Sequence, residues 1–164
     1  RVAPGWRSRL GSAGRPLVAV SIVLSVVLMI LGYQPAEGPI WWARQSTLVG
    51  INNLLVLVSF YIIAASIIGA RISRFIRHPQ LTAIKLWAVA HLLVNGDLAS
   101  LTLFGGLLIW AVLAVILINR QEEPPVREQS PIAWAPEVGA LSAAIVIYGL
   151  VGYVHGWLGY PVHG

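Results

Sequence analysis

The feature that most constrains this chain is the uncharged stretch from Leu17 to Tyr33, "LVAVSIVLSVVLMILGY". Four more apolar segments follow it: about Leu48 to Ala70, Leu81 to Val94, Leu98 to Ile118 and Val138 to Leu158. Runs of this length and character are membrane spans. Inside lipid every backbone N–H and C=O must be bonded within the protein, so the spans read as helices. Composition agrees. The chain is 57% hydrophobic and 10% charged, whereas about a quarter of residues are charged in soluble domains. The expected fold is an all-α integral membrane protein, a bundle of five transmembrane helices forming one domain over residues 1–164. A linker containing Pro and Glu, at about residues 119–137, precedes the last span.

The third segment is the short one. Leu81 to Val94 makes roughly 21 Å of helix, against a hydrocarbon core about 30 Å thick. The triplet "NGD" at Asn95 to Asp97 separates it from the fourth segment. The pair therefore reads as a tight helical hairpin, in which Gly96 breaks one helix and Asp97 caps the next.

Charge gives topology. Arg1, Arg7, Arg9 and Arg15 precede the first span, and Arg71, Arg74 and Arg77 lie between the second and third. The loop "QPAEGPIWWARQ" between the first two spans has one Arg and one Glu. By the positive-inside rule, the N-terminal segment, the 71–80 loop and the 119–137 linker face the cytoplasm. Trp41 and Trp42 then suit the opposite interface. The net charge of +5 reads as topology, since no basic residues interleave with aromatics as a nucleic-acid groove requires. The absence of cysteine excludes disulfides, c-type haem attachment, thiolate-held iron–sulfur clusters and a cysteine nucleophile. The sequence begins at Arg1 rather than Met, and residues 1–15 lack the apolar run of a signal peptide.

The segment Arg77 to Gly106, "RHPQLTAIKLWAVAHLLVNGDLASLTLFGG", carries polar groups where lipid is expected. His78 precedes the third helix at the cytoplasmic interface, and Lys85 is about one turn inside. His91 lies roughly 15 Å deep. Asn52, Asn53, His91, Asn95, Asp97 and His155 fall in one outer layer. A charge in hydrocarbon costs at least about 2.5 kcal/mol, so such groups face the interior, pair, or hold something. Each has two readings. His91 either bonds a neighbouring helix or serves as a ligand or catalytic group. Asp97 is a helix cap or a proton carrier, and Lys85 a snorkelling anchor or a site residue. Asn52 and Asn53 read as interhelical glue, and His78 before Pro79 as a helix start. His163 sits at the chain end. Two imidazoles at similar depth on different helices also suit axial ligation of a b-type haem. His91 and His155 qualify, and Trp87, at i−4 to His91, shares its face.

The residues Arg77 to Val112, with "RHP" followed by "LWAVAHLLVNGDLASLTLFGG", resemble the core of the NnrU family of bacterial membrane proteins. "VAPGWR" near the start and "GWLG" near the end resemble its flanks. The resemblance implies a multi-pass protein of the bacterial inner membrane, linked to nitrite and nitric oxide reduction in denitrifiers. It also implies kinship with the 15-cis-ζ-carotene isomerase, which uses b-type haem to isomerise a polyene. Motif to motif, that enzyme's haem-ligand histidine falls on His91. Its alternative cysteine ligand falls on Ala88, so Cys/His ligand exchange cannot occur there. Its other axial histidine lies in a span before the region matching Arg1. Full-length relatives therefore suggest six spans, or recruitment of His155 here.

The first expectation is thus a haem b protein, with His91 and His155 as metal ligands and Trp87 and His78 as further cofactor contacts. Its reaction would be cis–trans isomerisation of a carotenoid or other polyene, with Asp97, Asn95 and Lys85 as catalytic candidates. The second is a non-catalytic accessory or assembly subunit of a denitrification, respiratory or photosynthetic membrane complex. The third rests on "RHP", which also resembles a motif of membrane methyltransferases that use S-adenosylmethionine. The expected surroundings are the lipid bilayer, with no nucleic acid.

Overall fold

The computed structural model describes residues 11–123 and 134–162. Arg1, Arg7, Arg9, His163 and the middle of the expected linker lie outside the described residues. Among the described residues there are, besides a 3-10 turn at Gly11–Ala13, six helices: α1 Gly14–Tyr33, α2 Ser46–Ile68, the single-turn α3 Arg71–Phe75, α4 Pro79–Val94, α5 Leu98–Gln121 and α6 Trp134–Trp157. Four of them, α1, α2, α5 and α6, are long and apolar enough to cross a membrane, and α4 is a shorter apolar helix. Among the described residues the only β-type pairing is an isolated bridge between Ile40 and Asp97. The all-helical fold expected from the sequence is the fold observed. The linker is narrower than expected, because residues 119–121 finish α5 and residues 134–137 begin α6.

The chain forms two compact units, Arg1–Gly38 and Pro39–Gly164. In the first, α1 is uniformly apolar apart from Arg15 and two serines. Those hydroxyls bond their own helix: Ser21 Oγ donates to Leu17 O at 2.9 Å and Ser25 Oγ to Ser21 O at 2.8 Å. No polar side-chain group of the helix middle is left for lipid to solvate.

In the second unit, α2 packs along both α4 and α6, while α4 and α5 form the expected hairpin. The contacts run through small residues. Ala65, Ala70, Ala83, Ala88, Ala90, Ala111, Ala140 and Ala144 are fully buried. Between apolar helices in lipid the drive is close packing rather than escape from water, and alanine lets backbones approach. Ala64, Ala65, Ala70 and Ala140 form one such cluster, with Tyr61, Ile72 and Ala143 packed against it.

Helix ends follow local chemistry. α2 stops at Gly69, whose φ of 80° is the left-handed conformation glycine adopts without strain. Its N–H and that of Ala70 both donate to Ala65 O at 2.9 Å. α4 starts with Pro79 in its first turn, where no N–H is needed. α5 contains a feature that the sequence pattern does not announce. Its turn at Leu101–Gly105 is a π-helix, a widened turn of the kind often found at functional sites.

Candidate functional site

The α4–α5 turn is built by a separate stretch of chain. α4 spans about 24 Å, so irregular backbone at residues 95–97 sits at a depth where unbonded peptide groups would be costly. Residues 39–42 supply the bonds. Trp41 N donates to Gly96 O at 2.8 Å, Leu98 N to Pro39 O at 3.2 Å, and the Trp42 indole Nε1 to Leu92 O at 3.1 Å. Trp42 thus does more than anchor an interface. Its ring lies against Gly96, where an added Cβ would come within 2.6 Å of Trp42 Cγ. Only glycine fits there.

Asp97 caps α5 with both carboxylate oxygens. Ser100 N donates to Oδ1 at 2.8 Å and Ser100 Oγ to Oδ2 at 2.6 Å. Asn95 turns back on α4, donating to His91 O at 2.9 Å. Asn52, with its amide nitrogen assigned toward the facing carbonyl, donates to Ala90 O of α4 at 2.9 Å. Asn53 donates to Val162 O at 3.1 Å, and Arg44 to Pro161 O at 3.0 Å, tying the end of the described chain to the start of α2. Asn52, Asn53, His91, Asn95, Asp97 and His155, expected to share one layer, do not form one network, since most of them bond backbone carbonyls.

Two imidazoles differ from the rest. His91 Nδ1 lies 2.9 Å from Trp87 O, and His155 Nδ1 lies 2.9 Å from Val151 O. A carbonyl only accepts, so each Nδ1 carries the proton and each Nε2 presents a bare lone pair. Neither Nε2 is hydrogen-bonded among the described residues. The two rings belong to different helices, α4 and α6. His91 is held by aromatic faces. Phe104, from the π turn of α5, stacks on it at 4.6 Å between centroids and 30° between planes. Trp87 packs on it at 4.6 Å and meets Phe104 edge-on at 5.0 Å. Periodicity placed Trp87 beside His91. Phe104 was missed, because the widened turn that aims it breaks the regular helical register.

The other end of α4 is engaged differently. His78 Nε2 lies 2.8 Å from Asn119 Oδ1, Arg77 donates to Glu122 O at 2.6 Å, and Gln80 Nε2 donates to Ser66 Oγ at 2.6 Å. The motif "RHP" therefore closes the C-terminal end of α5, where a cation suits the exposed carbonyls. His78 is about a dozen residues from His91, roughly 20 Å along the helix, and is not brought to the imidazole pair. Lys85, part-buried, has no hydrogen-bond or ion-pair partner among the described residues. Glu137, which sequence reasoning assigned to the linker, ties three elements. Its carboxylate accepts from Tyr61 OH of α2 at 2.8 Å and from the backbone N–H of Arg71 in α3. An acid in the first turn of an apolar helix, where the helix dipole favours it, was the available signal.

Among the described residues no three or more His, Cys, Asp or Glu side chains converge. A metal site made of protein ligands alone, such as zinc with three or four, lacks its donors. A haem brings four nitrogens of its own and asks the protein for one or two, so the pair of open imidazoles fits that group.

Several long apolar helices, with most of their polar groups bonded within the protein and a short apolar helix paired with one of them, define a multi-pass α-helical membrane protein. The chain belongs to the NnrU protein family, whose profile matches residues 1–162, nearly its whole length. No curated protein and no solved structure matches it significantly.

Proposed function

We propose that this NnrU-family protein holds a b-type haem through His91 and His155 and uses it in cis–trans isomerisation of a polyene such as a carotenoid. The observation that carries the reading is the pair of imidazoles on different helices, each with Nδ1–H fixed on its own i−4 carbonyl and Nε2 open. Backbone bonds of this kind fix tautomer and ring orientation and raise ligand basicity. Trp87 and Phe104 hold the His91 ring from its faces and leave its nitrogen edge open. Asn95 secures the backbone at His91, and Asp97 fixes the start of α5, so the hairpin presents a rigid wall. His91 and His155 would hold the haem, which when bound would supply the redox-active metal chemistry for the isomerisation. The leucines of the hairpin offer a long hydrocarbon an apolar surface free of competing hydrogen bonds. The proposed setting is the bacterial inner membrane, with the Arg71–Arg77 side toward the cytoplasm.

The test is an absorption spectrum of the detergent-purified protein, expressed with ample haem precursor. A Soret band that disappears in both His91→Ala and His155→Ala variants supports the reading. Its absence from the wild-type protein overturns it. Conversion of a cis-polyene by the wild-type protein, read by chromatography and lost in the same variants, tests the isomerase step separately. The accessory role in a denitrification, respiratory or photosynthetic complex draws on Asn52 and Glu137, which are committed to ties between helices. It predicts normal complex assembly by His91→Ala.

A further inference from the structure

The single-turn helix α3 has two unlike sides. Ile72 points inward and packs against the alanine cluster shared by α2 and α6. Arg71, Arg74 and Phe75, related by spacings of three and four, share the outward side. All three are exposed, Phe75 to 54%. The Arg71 guanidinium lies over the Phe75 ring, 5.4 Å from its centroid. Neither guanidinium forms a hydrogen bond or ion pair among the described residues. The acid nearest in the fold, Glu137, has both oxygens engaged, by Tyr61 OH and the Arg71 backbone N–H. Glu122 and Glu123, beyond α5, are exposed and pair with neither arginine.

The depth of this cluster is fixed by its neighbours. α3 follows the last turn of the spanning helix α2 and precedes the first turn of α4, at the side where α5 ends and α6 begins. That level is the boundary between hydrocarbon and headgroups. An exposed phenyl ring beside two unpaired guanidiniums matches the boundary chemically: the ring suits the upper acyl region and the forks suit a phosphodiester. We infer that α3 is a binding site for the headgroup of an anionic phospholipid, with Arg71 and Arg74 gripping the phosphate and Phe75 seated at the glycerol level. The site is independent of the imidazole pair and of any haem.

The experiment is native mass spectrometry of the full chain, released from detergent containing equal amounts of phosphatidylglycerol and phosphatidylcholine. Retained adducts should favour phosphatidylglycerol, by about fivefold per arginine if each contributes as basic residues at an anionic surface do. The Arg71→Gln/Arg74→Gln variant should lose that preference. Arg44→Gln, at the opposite side, should keep all of it. Equal retention of the two lipids by the wild-type protein overturns the proposal, and so does an unchanged preference in the double Gln variant. Thermal unfolding with millimolar inorganic phosphate separates the remaining source. Stabilisation by phosphate alone as large as that by phosphatidylglycerol would mean an ion site and not a lipid site.

Discussion

The two ends of α4 have similar residues and opposite uses for them. At the Pro79 end, Arg77, His78 and Gln80 reach across to α5 and α2 and are engaged there. Toward the Val94 end, Asn95 and Trp42 engage backbone carbonyls of α4 itself, and the His91 ring is held by Nδ1 alone. A histidine occurs at each end. His78 has its Nε2 in a bond to another helix, whereas His91 has its Nε2 open. Polarity inside a membrane bundle therefore does not by itself mark function. The proposed haem site draws instead on imidazole nitrogens left open after the helices have been tied together.

The sharpest break in that comparison is at the hairpin turn. Gly96→Ala drives a Cβ into the Trp42 ring and backbone, and neither can retreat without losing the bonds that satisfy the turn. The expected cost is about 3 kcal/mol, at the upper end for overpacking. It would be read as a large fall in the thermal midpoint of the detergent-solubilised protein. A midpoint within a degree of wild type would show that residues 39–42 do not hold the turn.

The next test sets one histidine against another. His78→Ala removes a bond between α4 and α5 and should cost about 1 kcal/mol of stability, with any haem spectrum unchanged. His155→Ala removes only a bond within one helix turn. It should cost less than His78→Ala and abolish the spectrum. The reverse pattern, with His78 controlling the spectrum, would invert the distinction between engaged and open nitrogens.

Much of this was legible in the sequence, for physical reasons. Lipid forces helices, so the spans were fixed by length and charge alone, and "NGD" marked the turn because glycine and a capping aspartate are what a tight helical hairpin needs. Trp87 beside His91 followed from the i−4 spacing. Three things were not legible. The π turn that aims Phe104 leaves no periodic signature. The closure of the turn by residues 39–42 depends on contacts some fifty positions apart. Glu137 looked like linker because it lies just past a stretch rich in Pro and Glu, yet α6 already starts at Trp134.

Smaller effects refine the Val94 end. Asp97→Ala removes the cap of α5 and should cost about 1 kcal/mol at neutral pH. The loss would be read from thermal unfolding of the detergent-solubilised protein. A midpoint equal to that of wild type would show that the two bonds from Ser100 do not hold the start of α5.

The smallest effect separates glue from ligand within a single layer. Asn52 is buried and donates to Ala90 O, one residue from His91. Asn52→Leu should cost only about 0.6 kcal/mol, the average for a hydrogen bond between membrane helices, because leucine fills the volume and the Ala90 carbonyl keeps its bond within α4. If Asn52 is purely a tie, the variant should leave the position and intensity of a Soret band untouched. A shifted band at nearly unchanged stability would mean that Asn52 sets where the His91 backbone lies. The boundary between engaged and open groups would then run through the α2–α4 contact itself, and not between the two ends of α4.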